Sequence, residues 1–239
     1  MDVWGRKFHD HKHLVLLITL LIMCVVQPVA HGMLGGLVLF DVLLTLVLLG
    51  IFVLFFKQRN ERIAALAIAI PGISIQWASY LIPPETRWLA EVLHHLLILI
   101  FLTLAVAIII RGIFEENSVR HDHFLATVCG YIIAGVAFGN AYQIVDLFVP
   151  HAFSIKPEIL SQMQSEHTRS FLFNYFSLST LSGTGYGDIT PVWPGVASLT
   201  WMEAIFGQFY IAIVVAQLIG LKLSRLSETS REVQKRDFE

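Results

Sequence analysis

Charge is scarce in this chain. Lysine, arginine, aspartate and glutamate make up 14% of its 239 residues, and no basic run is long enough to follow a phosphate backbone, which excludes nucleic acid as a partner. Cysteine is nearly absent: Cys24 and Cys129 both lie in apolar runs, where packed thiols are expected and not a disulfide or a metal pair. There is no Ser–His–Asp order, no pair of catalytic carboxylates and no cofactor loop, so neither an enzyme nor a bound cofactor is expected. His9, His11, His13, His121 and His123 have metal-like spacing, but without a cysteine or carboxylate set they read as solvated tail and loop residues.

Apolar surface is what the chain has instead. It is 56% hydrophobic, includes 17 Phe and has a mean hydropathy of +0.69, more than water accommodates. The hydrocarbon core of a bilayer is about 30 Å thick, so apolar runs of about 18 residues or more read as spanning helices. Six such segments stand out, at about 14–31, 34–56, 63–82, 89–114, 122–149 and 194–223. Residues 150–169 form a polar connection. Residues 170–182, "SFLFNYFSLSTLS", are apolar and aromatic but too short to cross, as expected of a re-entrant element.

The basic residues set an orientation. Thirteen fall on the N-terminus, the loops near 57–62 and 111–121 and the tail, against Arg87, Lys156 and Arg169 on the other side. That bias predicts cytoplasmic termini and places residues 180–191 outside. The first segment also has the pattern of a signal peptide, although Pro28 sits where a small residue is preferred at the cleavage site.

Glycine is concentrated in one place, "TLSGTGYGDITP" at 180–191. A phosphate loop would sit between a strand and a helix and be followed by Lys, and neither condition holds. A dehydrated cation, by contrast, needs several oxygens at once, and rings of backbone carbonyls supply them without net charge. Such a ladder alternates ordinary and left-handed backbone, and Gly183, Gly185 and Gly187 alternate with Thr184 and Tyr186 in that way. Tyr186 is expected to point sideways and hold the ring open.

The stretch T-L-S-G-T-G-Y-G-D resembles the selectivity filter of the potassium-channel superfamily, T-T-V-G-Y-G-D, and the order outer helix, pore helix, filter, inner helix over 122–223 is similar as well. The resemblance implies potassium ions as the permeant ligand at Gly183, Thr184, Gly185 and Tyr186, with Gly187 closing the filter. It makes Ser182, Asp188 and Tyr175 supporting residues, with Asp188 the acid of the outer mouth and Tyr175 its hydrogen-bonding aromatic. Glu203, early in the last span, is expected either to sit behind the filter and brace the pore helix or to pack between subunits. Gly207 falls at the family's proposed gating bend. One departure stands out: Gly183 occupies the place of the threonine whose hydroxyl lines the innermost ion site, and Thr184 replaces the usual Val or Ile. A single loop per chain implies a homotetramer in contact with lipid.

The expected fold is therefore an all-α membrane protein with six spans and a re-entrant pore helix and filter between the fifth and sixth. Its parts are a cytoplasmic N-terminus (1–13), a peripheral four-helix region (14–121), the pore domain (122–223) and a cytoplasmic tail (224–239). Small size points to a prokaryotic inner membrane. The fourth span carries only Arg111, which excludes an arginine-ladder voltage sensor. The tail is too short for a sensing domain; Ile219, Leu223, Leu226 and Val233 have heptad-like spacing that would suit a short helical extension. Asp41 lies inside an apolar run and needs a partner; His94 and His95 are candidates, which would make a proton-sensitive contact. Asn140, Gln143 and Asp146 share one face of the fifth span and are expected to meet other helices.

Overall fold

The computed structural model describes residues 12–30, 36–83, 87–115, 121–160 and 166–236. The helices are α1 (Lys12–Ala30), α2 (Gly36–Phe55), α3 (Arg59–Ala78), α4 (Arg87–Glu115), α5 (His121–Phe148), α6 (Pro157–Leu160), α7 (Glu166–Leu181) and α8 (Pro194–Arg236), with strands β1 (Phe153–Ile155) and β2 (Ile189–Pro191) between them. The described part of each of the six apolar segments is largely helical. Val38–Phe55, Arg87–Gly112, Phe124–Phe148 and Pro194–Gln217 are long and apolar enough to cross a membrane. In α1 the apolar stretch among residues with described side chains is Lys12–Val26, and α3 opens on Arg59, Glu61 and Arg62, which dilute its hydropathy. His9, His11 and His31 lie outside the described residues, as do the side chains of His121, His123, Leu223, Leu226 and Val233.

The polar connection is more ordered than its sequence indicates. Phe153 pairs with Pro191 and Ile155 with Ile189, so β1 and β2 form a short antiparallel clip, and α6 adds one helical turn. Among the described residues, the regular structure is helical apart from this clip. The tail continues α8 without a break to Arg236.

Two apolar cores organise the chain. One joins α1 to α5 through side chains such as Leu20, Ile51, Phe101 and Ile133. The other lies between α5, α7 and the clip, where Tyr142, Phe153, Phe173 and Phe176 meet edge to face or tilted. Small residues on α5 let the helices close up. A Cβ at Gly139 would lie 2.3 Å from Asn174 Oδ1 and 3.2 Å from Asn174 Cα, so glycine sets the approach of α5 to α7.

The polar stripe on α5 meets other helices as expected. Asn140 Oδ1 is 2.9 Å from His95 Nδ1 on α4, Gln143 Oε1 accepts from Ser170 Oγ at 2.5 Å, and Asp146 pairs with Arg169 at 3.3 Å on α7. Asn140 Nδ2 donates to the Val136 carbonyl, which fixes the amide orientation and makes His95 Nδ1 the donor to Oδ1.

Asp41 is buried but has different partners from those the sequence indicates. Gln76 Nε2 donates to its Oδ1 at 2.9 Å, and the Tyr80 hydroxyl donates to its Oδ2. His94 instead points Nδ1 at the Gly72 carbonyl, and His95 is taken by Asn140. The expectation of a direct Asp41–histidine contact is corrected: Gln76 near the end of α3 and Tyr80 in the turn that follows it both reach the carboxylate and together satisfy it.

Asp41→Ala leaves the Gln76 amide and the Tyr80 hydroxyl without this acceptor and is expected to cost about 1–3 kcal/mol. A thermal melt of the detergent-solubilised protein checks it; an unchanged midpoint would mean that water replaces the carboxylate at no cost.

Candidate functional site

The glycine loop is seated on the end of α7. Gly183 N–H donates to the Thr180 carbonyl at 2.9 Å, and the Thr184 and Gly185 N–H groups both donate to the Ser179 carbonyl, at 2.9 and 3.1 Å. Carbonyls that the helix terminus leaves unpaired thus anchor the loop. Ser182 Oγ donates to the same Ser179 carbonyl at 3.1 Å, so the Thr184 hydroxyl, 3.0 Å away, is the donor to Ser182.

Backbone handedness then alternates. Gly183, Gly185 and Gly187 have φ of +76°, +54° and +71°, whereas Thr184 and Tyr186 do not enter the positive region. Left-handed backbone is inexpensive only for glycine, which explains the spacing of three glycines around two side chains. It also changes the meaning of Gly183. A β-branched threonine is poorly tolerated at φ +76°, so in this chain the backbone at 183 itself favours glycine, and the position also lacks the hydroxyl of the family pattern.

Beyond the glycines the loop is tied down again. Tyr175 Oη donates to Asp188 Oδ2 at 2.6 Å, and Ile189 N–H donates to Oδ1 at 3.0 Å. The Asp188 carbonyl accepts from Lys156 N–H at 3.1 Å, next to the β1–β2 clip. Tyr186 turns away from the glycine backbone and stacks on Tyr175, with centroids 5.8 Å apart and planes within 8°.

Glu203 is fully buried where α5, α7 and α8 meet. Tyr142 Oη donates to Oε2 at 2.5 Å, and Oε1 lies against Ser177 Oγ, itself 2.6 Å from the Gly135 carbonyl. Each oxygen–oxygen contact needs a hydrogen. Tyr142 supplies one. The Gly135 carbonyl has none to give and takes the single hydrogen of Ser177. The hydrogen between Glu203 and Ser177 is then Glu203's own, and the carboxyl is held as the neutral acid. No ion pair among the described residues reaches Glu203, so a charged form would lack compensation there. Glu203 braces the helix behind the loop from within its own chain.

Gly207 is a packing position. A Cβ there would lie 2.0 Å from the Leu181 carbonyl oxygen and 2.9 Å from its carbon, so the absence of a side chain lets α8 touch the last residue of α7. At the next position along α8, Gln208 lies beside the loop: its Nε2 is 3.0 Å from where a Gly183 Cβ would be.

These elements are arranged as outer helix, short inner helix, glycine loop and second long helix, and the match to a known family covers the same ground. The "Ion channel" family model matches residues 126–221, from α5 into α8. The match supports the resemblance of this region to potassium channels. No curated protein matches the chain. The chain is accordingly an integral membrane protein with an ion-channel domain.

Within the channel domain, Ser182, Gly183, Thr184, Gly185, Tyr186, Gly187, Asp188 and Tyr175 form one continuous unit, with Glu203 and Gly207 behind it. Sequence reading missed Tyr142, Ser177, Gln208 and the clip. An acid in an apolar run demands hydrogen-bond partners, and that demand was the one available signal for Tyr142 and Ser177.

Glu203→Gln keeps the pattern, with Nε2–H donating to Ser177 and Oε1 accepting from Tyr142, and is expected to melt near wild type. Glu203→Leu is expected to lose about 1–3 kcal/mol; a Gln variant as unstable as the Leu variant would show the carboxyl to be charged. Gly207→Ala is expected to cost about 1–3 kcal/mol through overpacking, because its neighbour is backbone and cannot turn aside. An alanine variant of full stability would argue against the tight contact, and altered opening in that variant would support the hinge reading.

Proposed function

We propose that the protein is a homotetrameric channel that passes potassium ions down their gradient through a filter made of the backbone at Gly183, Thr184, Gly185, Tyr186 and Gly187. The observation that carries this reading is the alternation of left-handed glycines with Thr184 and Tyr186 in a loop fixed at both ends. A backbone of alternating handedness can turn successive carbonyls toward one line, where they replace the water shell of a cation. Asp188 then stands at the outer mouth with Tyr175 holding it.

Self-assembly is supported by what one chain leaves uncovered. The Pro194–Gln217 span of α8 has 17% of its length buried, against 61% for Phe124–Phe148 in α5, and Tyr186 is 66% exposed. A loop contributed once per chain surrounds an ion only when copies close around an axis, and four is the closure that the resemblance implies. The first four helices then form a peripheral region around the pore domain at 122–223. The distribution of basic residues supports an arrangement of six spans in which both termini face the cytoplasm. Gly207 remains the proposed bend should the inner helix open.

A weakly selective cation channel is the second reading, and Gly183 favours it: the innermost site lacks a hydroxyl ring and has a backbone that resists one. Reconstituted vesicles separate the two. Rubidium uptake driven by a potassium gradient and absent with sodium is expected for the first reading, and comparable uptake with both ions for the second. Gly185→Ala puts a side chain at φ +54° and is expected to reduce selective uptake to background; full uptake in that variant would sink the filter assignment.

A further inference from the structure

Gln208 is a polar side chain inside an apolar span, and nothing in its own chain explains it. It is exposed and forms no hydrogen bond with any described residue. An amide facing lipid would be left with unpaired donors and acceptors, so this one requires water or another polar surface. Its helix face is small on either side, with Ala204 one turn before it and Ala212 one turn after.

Its position identifies the surface. The Gln208 Nε2 is 3.0 Å, and its Cδ 4.0 Å, from the point where a Cβ on Gly183 would stand. The amide occupies the space that a side chain at 183 would fill. Gly183 itself cannot readily supply one, because its φ of +76° disfavours a β-branched residue. The neighbouring Ser182 and Thr184 hydroxyls bond to the Ser179 carbonyl and to each other, so α8 is the element that brings a further polar group, Gln208, to this position.

We propose that Gln208, one from each subunit, forms a polar collar at the inner end of the filter, where its amide oxygen takes over part of a cation's hydration beside Gly183. This rests on the channel reading above and assigns the residue that compensates for its weakest position. An amide suits the task because it carries an oxygen acceptor and N–H donors together, so it can face a cation and still hold neighbouring water.

The test uses the full chain in vesicles and planar bilayers, with rubidium uptake and block by barium added from the cytoplasmic side as readouts. Gln208→Leu is expected to lower uptake and weaken block by roughly five- to tenfold, the scale of a single missing hydrogen bond. Gln208→Glu places a ring of charge at the same level and is expected to strengthen block. Elution at the wild-type oligomeric size is required of both variants; because the side chain is exposed, both are expected to assemble. A Leu variant with wild-type uptake and block, or a Glu variant with unchanged block, would overturn the collar and leave the channel reading intact. A wild type without potassium-driven uptake would overturn the channel reading, and the collar with it.

Discussion

Irregular backbone among membrane helices is tolerated only when its polar groups are satisfied or turned toward water. The rest of this structure follows from that constraint. The end of α7 provides the first part of the solution, since the Thr180 and Ser179 carbonyls take up the N–H groups of Gly183, Thr184 and Gly185. The loop therefore leaves the helix with its amide hydrogens held. Its remaining carbonyls are then available for whatever lies on the open side, and the left-handed glycines let them be presented without side-chain clash.

Holding a loop in this way requires a firm platform, and three independent devices provide it. Gly139 and Gly207 bring α5 and α8 against α7 at contact distance. Glu203 joins the three helices through Tyr142 and Ser177 in a network that closes only with the proton in place. The clip of β1 and β2 fixes the far end of the loop by anchoring Asp188 next to Lys156. Removing one device leaves the others in contact with the same helix, so the consequences of a single substitution fall on stability before they reach the loop geometry.

How much of this could be read beforehand depended on whether the signal was local. The glycine spacing, the Tyr175–Asp188 pair and the six helical segments are local or motif-borne, and the structure places them where the sequence indicates. The partners of Asp41 are not local. Gln76 and Tyr80 lie more than thirty positions away, and two histidines in another helix looked chemically as suitable; only the packing of α3 against α2 decides between them. The clip was hidden for another reason: Phe-Ser-Ile and Ile-Thr-Pro are too short to show a strand period and form only because each meets the other. Gln208 was overlooked because one amide in a long apolar run has no pattern at all. Its significance comes from its distance to Gly183.

The helices outside the pore region have their own route to α7. Asn140, Gln143 and Asp146 lie along one face of α5, and their partners alternate in a telling way: His95 belongs to α4, while Ser170 and Arg169 belong to α7. The stripe therefore connects the peripheral helices to the element that holds the loop. A displacement of α4 would act on α5 through His95 and Asn140, and α5 would transmit it at Gln143 and Asp146. The basic residues of α4 are Arg87 at its start and Arg111 near its other end, the latter paired at 3.0 Å with Glu61, so no ladder of charge runs along this route.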